Sequence, residues 1–140
     1  MKAKCCFMAL GVGLSAPAFA DAGARPANAI ERITIRDGTA KSEDPSIHCN
    51  SLRIDEKRAR YFLRHARPSS QFNYAHAYET GSCSASAVVR FKGGRQVNLT
   101  IDGGTGWGTA ENKRSIAYLY CEECTDLLDS DFAFKELAAP

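Results

Sequence analysis

Four cysteines, Cys49, Cys83, Cys121 and Cys124, run through the body of this chain and constrain its fold more than any other feature. Their meaning depends on compartment, because thiols stay reduced in the cytosol and pair where the surroundings oxidise. The first 20 residues speak to that question. Lys2 and Lys4 make a short positive leader, an apolar stretch covers residues 5–14, and Ala18-Phe19-Ala20 has the small-x-small form that a signal peptidase pocket admits. Pro17 interrupts any helix just before that site. The apolar stretch is too short for a bilayer, which needs about 20 residues. Cys5 and Cys6 lie inside the leader and not at its end, which argues against lipid attachment. The expectation is a cleaved signal peptide over residues 1–20 and an exported protein, in the periplasm, with no membrane insertion after cleavage.

Without the leader the charge balances. The chain holds 18 Lys+Arg and 16 Asp+Glu, and setting aside Lys2 and Lys4 leaves 16 of each sign. Export and a neutral total argue against nucleic acid as a partner. The remainder, about 120 residues, suits one domain. Four cysteines in an oxidising space are expected to form disulfides, and three connectivities stay open. Each bond adds on the order of 2–4 kcal/mol, a large share of the roughly 5–15 kcal/mol that holds a domain together.

Residues 21–28 read as a loose lead, and Ile30, Ile33 and Ile35 mark a strand over residues 30–36 that belongs to an N-terminal lead ending at residue 48. The clearest element is a helix over residues 55–66. Asp55 can cap it, Ala59, Phe62, Leu63 and Ala66 form its apolar face, and Pro68 stops it. Residues 72–78 alternate without declaring a type. From Cys83 onward the texture is β: strands near 84–91, 96–101, Trp107 and 115–120, separated by Lys92-Gly93-Gly94, Asp102-Gly103-Gly104 and a turn at 111–113. The expected architecture is therefore α+β over residues 49–130: one amphipathic helix packed on an antiparallel meander of about four strands, disulfide-stapled, with a tail at 131–140 and one helical turn in the stretch from Thr125.

Candidate sites are few. Cys121-Glu122-Glu123-Cys124 has the C-x-x-C form of a redox pair, but the two glutamates disfavour a thiolate, and no long helix follows. A metal site would need Cys49, Cys83 or His48 beside that pair, and a second C-x-x-C is lacking. Structural disulfides are the expected use of all four sulfurs, with no metal and no cofactor. Lys57, Arg60, Arg64 and Arg67 share one helical face and could meet an anionic partner or simply face water. Glu122, Glu123, Asp126, Asp129, Asp131 and Glu136 against the single base Lys135 suggest that an acidic tail docks on that stripe. Tyr74, His76 and Tyr78 would line one face of an extended segment, and with Trp107 would form either a shallow aromatic groove or a core edge. The run from Asp102 to Gly108 lacks the Lys-Ser/Thr ending of a phosphate loop. Asn98-Leu99-Thr100 fits a glycosylation pattern but falls inside an expected strand.

The order Cys49, Ala66-Arg67-Pro68, Tyr74-x-His76, Cys83, Phe91 before Gly94-Arg95, and Tyr118-Leu119-Tyr120-Cys121-x-x-Cys124 resembles a group of short, exported, uncharacterised proteobacterial proteins. The likeness covers Cys49 to Cys124, with more glycine near Trp107 than that group leads one to expect. It implies a periplasmic location and brings no activity. The functional expectation is a non-catalytic domain that binds another envelope protein or a toxin-like protein, as an immunity or inhibitor protein does. The rival is a thiol–disulfide or metal-binding factor that uses Cys121 and Cys124.

Overall fold

The computed structural model describes residues 29–76 and 82–135. The expected signal peptide, the lead at 21–28 and the last five residues lie outside the described residues. In chain order the elements are β1 (Ile30–Thr34), α1 (Glu56–His65), β2 (Arg67–Ser69), α2 (Gln71–Ala75), β3 (Ser84–Phe91), β4 (Gln96–Asp102), β5 (Trp107–Glu111) and β6 (Ile116–Tyr120). The strands form a single sheet in the order β1-β3-β4-β5-β6-β2, and every neighbouring pair is antiparallel.

The α+β expectation is thereby corrected. The fold is sheet-dominated, with six strands and one helix longer than five residues among the described residues. The four strands from β3 to β6 do form a meander, but an edge strand joins each side of it. β1 adds beside β3, which makes it part of the sheet and not a detached lead. β2 is Arg67-Pro68-Ser69, with no alternation and no β-branched residue, so it is a strand only because it pairs with β6. Pro68 has no N–H to give, and an edge strand is where a sheet tolerates that. At the opposite edge the β1 register slips between Ile30 and Arg32, a bulge that makes further strand addition difficult.

Period-two alternation gives the sheet two unlike faces. Ala85, Ala87, Val89 and Phe91 of β3, Val97, Leu99 and Ile101 of β4, Ala110 of β5 and Leu119 of β6 are all buried on the inner face. Ala59 and Phe62 of α1 pack into the same cluster, together with Leu127 and Leu128 from the C-terminal segment. Gly108 lies where β5 crosses Phe62: a Cβ there would sit 2.6 Å from the ring and 2.7 Å from the Thr100 carbonyl oxygen. That close approach, and not phosphate binding, accounts for a glycine in this run. Gly106 has φ of +79° and its carbonyl accepts from the Cys121 N–H at 2.8 Å, so it turns the chain against the start of the Cys121 loop.

Asp55 caps α1 by accepting from the Arg58 N–H at 2.7 Å. The Arg58 side chain does more. It donates to the Leu127 and Asp129 carbonyls at 2.8 and 2.7 Å and pairs with the Asp55 carboxylate at 2.6 Å. The C-terminal segment thus docks on α1 through backbone carbonyls and two leucines, held by a buried arginine, and of its acids Glu123 also reaches the helix, 3.5 Å from the Tyr61 hydroxyl and 3.8 Å from His65 Nε2. Two disulfides close the structure, Cys49–Cys83 and Cys121–Cys124. The first ties the loop before α1 to the start of β3. The second closes a one-turn 3-10 helix, Glu122–Cys124, directly after β6.

Candidate functional site

The same alternation that builds the core turns a second set of side chains to the other side of the sheet. In register across the strands lie Ser86, Thr100, Thr109, Tyr118 and Ser69, and next to them Trp107, Tyr120 and Arg67. Most of this outer face is small and polar. Its β5–β6–β2 end is aromatic, because Trp107, Tyr118 and Tyr120 fall on the outward positions of their strands. Trp107 and Tyr120 rings pack at 4.9 Å, and Arg67 is the direct cross-strand neighbour of Tyr120.

α2 lies over this aromatic end. Ser70 caps it by accepting from the Asn73 N–H at 3.1 Å, a local bond that takes the segment out of the extended state. The expectation that Tyr74, His76 and Tyr78 share one extended face is therefore corrected. Tyr74 turns inward and meets Trp107 at 5.6 Å and Tyr118 at 5.2 Å. His76 turns outward and stacks on Phe72 at 4.1 Å, four residues back on the helix. Tyr78 lies outside the described residues. Tyr120 is 39% exposed at this corner, Ile116 is 48% exposed at the other end of β6 opposite Glu111, and Phe72 is 68% exposed on α2.

The Tyr74 hydroxyl points the other way along the sheet, 3.5 Å from an Asp102 carboxylate oxygen. Asp102 ends β4 and is 9% exposed. No lysine, arginine or histidine among the described residues forms an ion pair with it. Burial away from water pushes its pKa up to about 6, against an opposing effect of the Tyr74 hydroxyl. Burial likewise raises the Tyr74 hydroxyl, with the Asp102 charge adding to the shift. A groove of about 570 Å³ opens over this pair, walled by the 41–47 loop and floored by Ser84, Thr100 and Asp102.

The basic stripe is elsewhere. α1 packs on the inner face, so its outward side and the aromatic corner are on opposite sides of the sheet. Lys57 sits 4.1 Å over the Phe134 ring, and Arg60 pairs with Glu56 at 2.9 Å, one helical turn away. Arg64 is exposed in the last turn. Arg67 is not on the helix at all, which corrects the four-residue stripe: the chain turns extended before Pro68 and carries Arg67 to Tyr120.

Cys121 and Cys124 are bonded to each other and wholly buried. An exchange centre needs an accessible, electropositive sulfur, and these two face the core beside Glu122 and Glu123. Among the described residues no cluster of three or more His, Cys, Asp or Glu side chains is placed to hold a metal ion. Comparison with protein-family models, with curated proteins and with solved structures finds no match for this chain.

Four residues of this region are not singled out by the sequence alone. Tyr118 and Tyr120 stand two apart in a strand, which was enough to put both on the face of Trp107 once β5 and β6 are paired. Asp102 continues the outward series of Asn98 and Thr100 past the expected end of β4. Phe72 had no signal, because its exposure depends on how α2 lies.

Proposed function

We propose that this protein is an exported, non-catalytic domain of the periplasm that binds another envelope protein or a toxin-like protein, with the outer face of its sheet as the contact surface. The carrying observation is the outer face of the β5–β6–β2 end, where Tyr120 is exposed between Trp107 and Arg67, Ile116 is exposed at the other end of β6, and Phe72 is exposed on α2. Tryptophan, tyrosine and arginine supply most of the energy at protein contacts, because each joins a large apolar area to a polar tip. Exposed apolar groups gathered at one place cost solvation unless something covers them. The two disulfides, which persist where the surroundings oxidise, agree with export.

The test is a capture from periplasmic extract with three forms of the protein. Arg67→Glu combined with Tyr120→Ala is expected to lose the captured protein while melting as the parent does. Arg60→Glu combined with Arg64→Glu is expected to keep it. Retention by the first form and loss by the second would move the contact surface to α1 and overturn the reading.

A further inference from the structure

The groove beside the aromatic corner has a chemistry of its own. Its floor is a carboxylate, Asp102, with one long hydrogen bond from Tyr74 and no cation paired with it among the described residues. A carboxylate accepts up to about four hydrogen bonds, so most of this capacity is unused. Glu43 and Asp44 stand on the wall above, and the Asp44 carboxylate is turned to Ser46 at 2.7–2.9 Å. The one base in the wall, Lys41, is held by Asp37 at 2.5 Å. The groove is therefore anionic, partly dehydrated at its floor, and edged by the Tyr74 ring and the Ser84 hydroxyl.

We propose that this groove is a pocket for a positively charged side chain, arginine or lysine, presented by the protein that binds the outer face. The inference rests on the proposed contact surface and names what that partner must bring to it. A guanidinium or ammonium group gives the buried carboxylate the counter-charge and the donors it lacks. The ring of Tyr74 supports the flat cation from the side, and the polar rim satisfies the remaining N–H groups. Neutral polar groups fit the space but leave the charge on Asp102 unanswered. Tyr74 links the two parts of the face, since its ring touches Trp107 and Tyr118 while its hydroxyl reaches Asp102. A single partner segment can thus cover the aromatics and place a cation in the groove.

The test uses the whole disulfide-bonded protein and a small probe, so it does not require the partner. N-acetyl-arginine amide is titrated while amide NMR signals are followed at neutral pH, with N-acetyl-citrulline amide as the uncharged match. Saturable shifts are expected at Tyr74, Ser84, Thr100 and Asp102 with the arginine probe only, and Asp102→Asn is expected to weaken binding by about tenfold or more. Tyr74→Phe, which keeps the ring and the fold, is expected to weaken it less. Equal response to citrulline, shifts centred elsewhere, or no saturable shift overturns the pocket. If the probe binds but the Arg67→Glu, Tyr120→Ala protein still captures its partner, the contact surface fails and the pocket stands. If the probe does not bind and that variant loses the partner, the surface stands and the pocket fails.

Discussion

Asp102 and Arg58 show how differently two buried charges can be settled. Arg58 is matched on all sides by two carbonyls and one carboxylate, all within 2.8 Å. Removing it leaves those acceptors without a donor, so Arg58→Ala is expected to cost about 3 kcal/mol or more in a urea titration. Arg58→Lys recovers only part of that, because an ammonium cannot span three separated acceptors. Asp102 is the opposite case, a carboxylate that pays for burial without a counter-charge. Its pKa in the fold is raised from 3.8 to about 6, so the folded state holds a proton that the unfolded chain has released. Stability is accordingly greatest below about pH 3.8 as far as this group is concerned, falls as pH rises through about 6, and is level above. Asp102→Asn removes that loss, and at pH 8 the variant is expected to gain on the order of 2 kcal/mol over the parent, with the difference shrinking toward pH 4. Thermal melts of both proteins across that range check it. No residue-level signal in the sequence distinguishes these two charges, since each depends on what a distant segment brings to it.

Elements were legible where local chemistry agreed with the final packing. α1 announces itself through Asp55, the Ala59–Phe62 face and Pro68, and it forms one residue inside the expected bounds. β3 and β4 are joined by the Lys92-Gly93-Gly94 turn where the glycines put it, and their apolar positions alternate inward as read. β2 and α2 were not legible. One is a strand made by its neighbour, and the other is a five-residue helix whose Ser70 cap overrides an alternating pattern. Arg67 and His76 were misplaced for that reason, each assigned to the element its own spacing suggested. The glycine-rich stretch before β5 is a turn plus a strand, as its composition implies, but the reason for Gly108 lies in the position of Phe62. Gly108→Ala forces either the ring or the β4 carbonyl to shift, and is expected to cost about 1–3 kcal/mol with the disulfides intact.

At the scale of the molecule, sulfur and sheet share the task of closure. By chain entropy, a bond between cysteines 34 apart in sequence contributes more than one between cysteines three apart. Replacing Cys49 and Cys83 together by serine is expected to cost about 4 kcal/mol, and replacing Cys121 and Cys124 about 2 kcal/mol, in parallel denaturant titrations. The sheet divides the surface into a helix-covered side and an open side, and that division matters more to function than the total charge. Spacing alone does not say on which side of the fold the basic residues and the aromatics lie. The fold separates Lys57, Arg60 and Arg64 from Tyr74 and Trp107 by the thickness of the sheet, and moves Arg67 to the aromatic side. A site-specific photo-crosslinking residue, placed in the protein in living cells, asks directly which side is used. At Tyr120 it is expected to yield one discrete adduct, and at Arg60 none. A discrete adduct from Arg60 with nothing from Tyr120 contradicts the account.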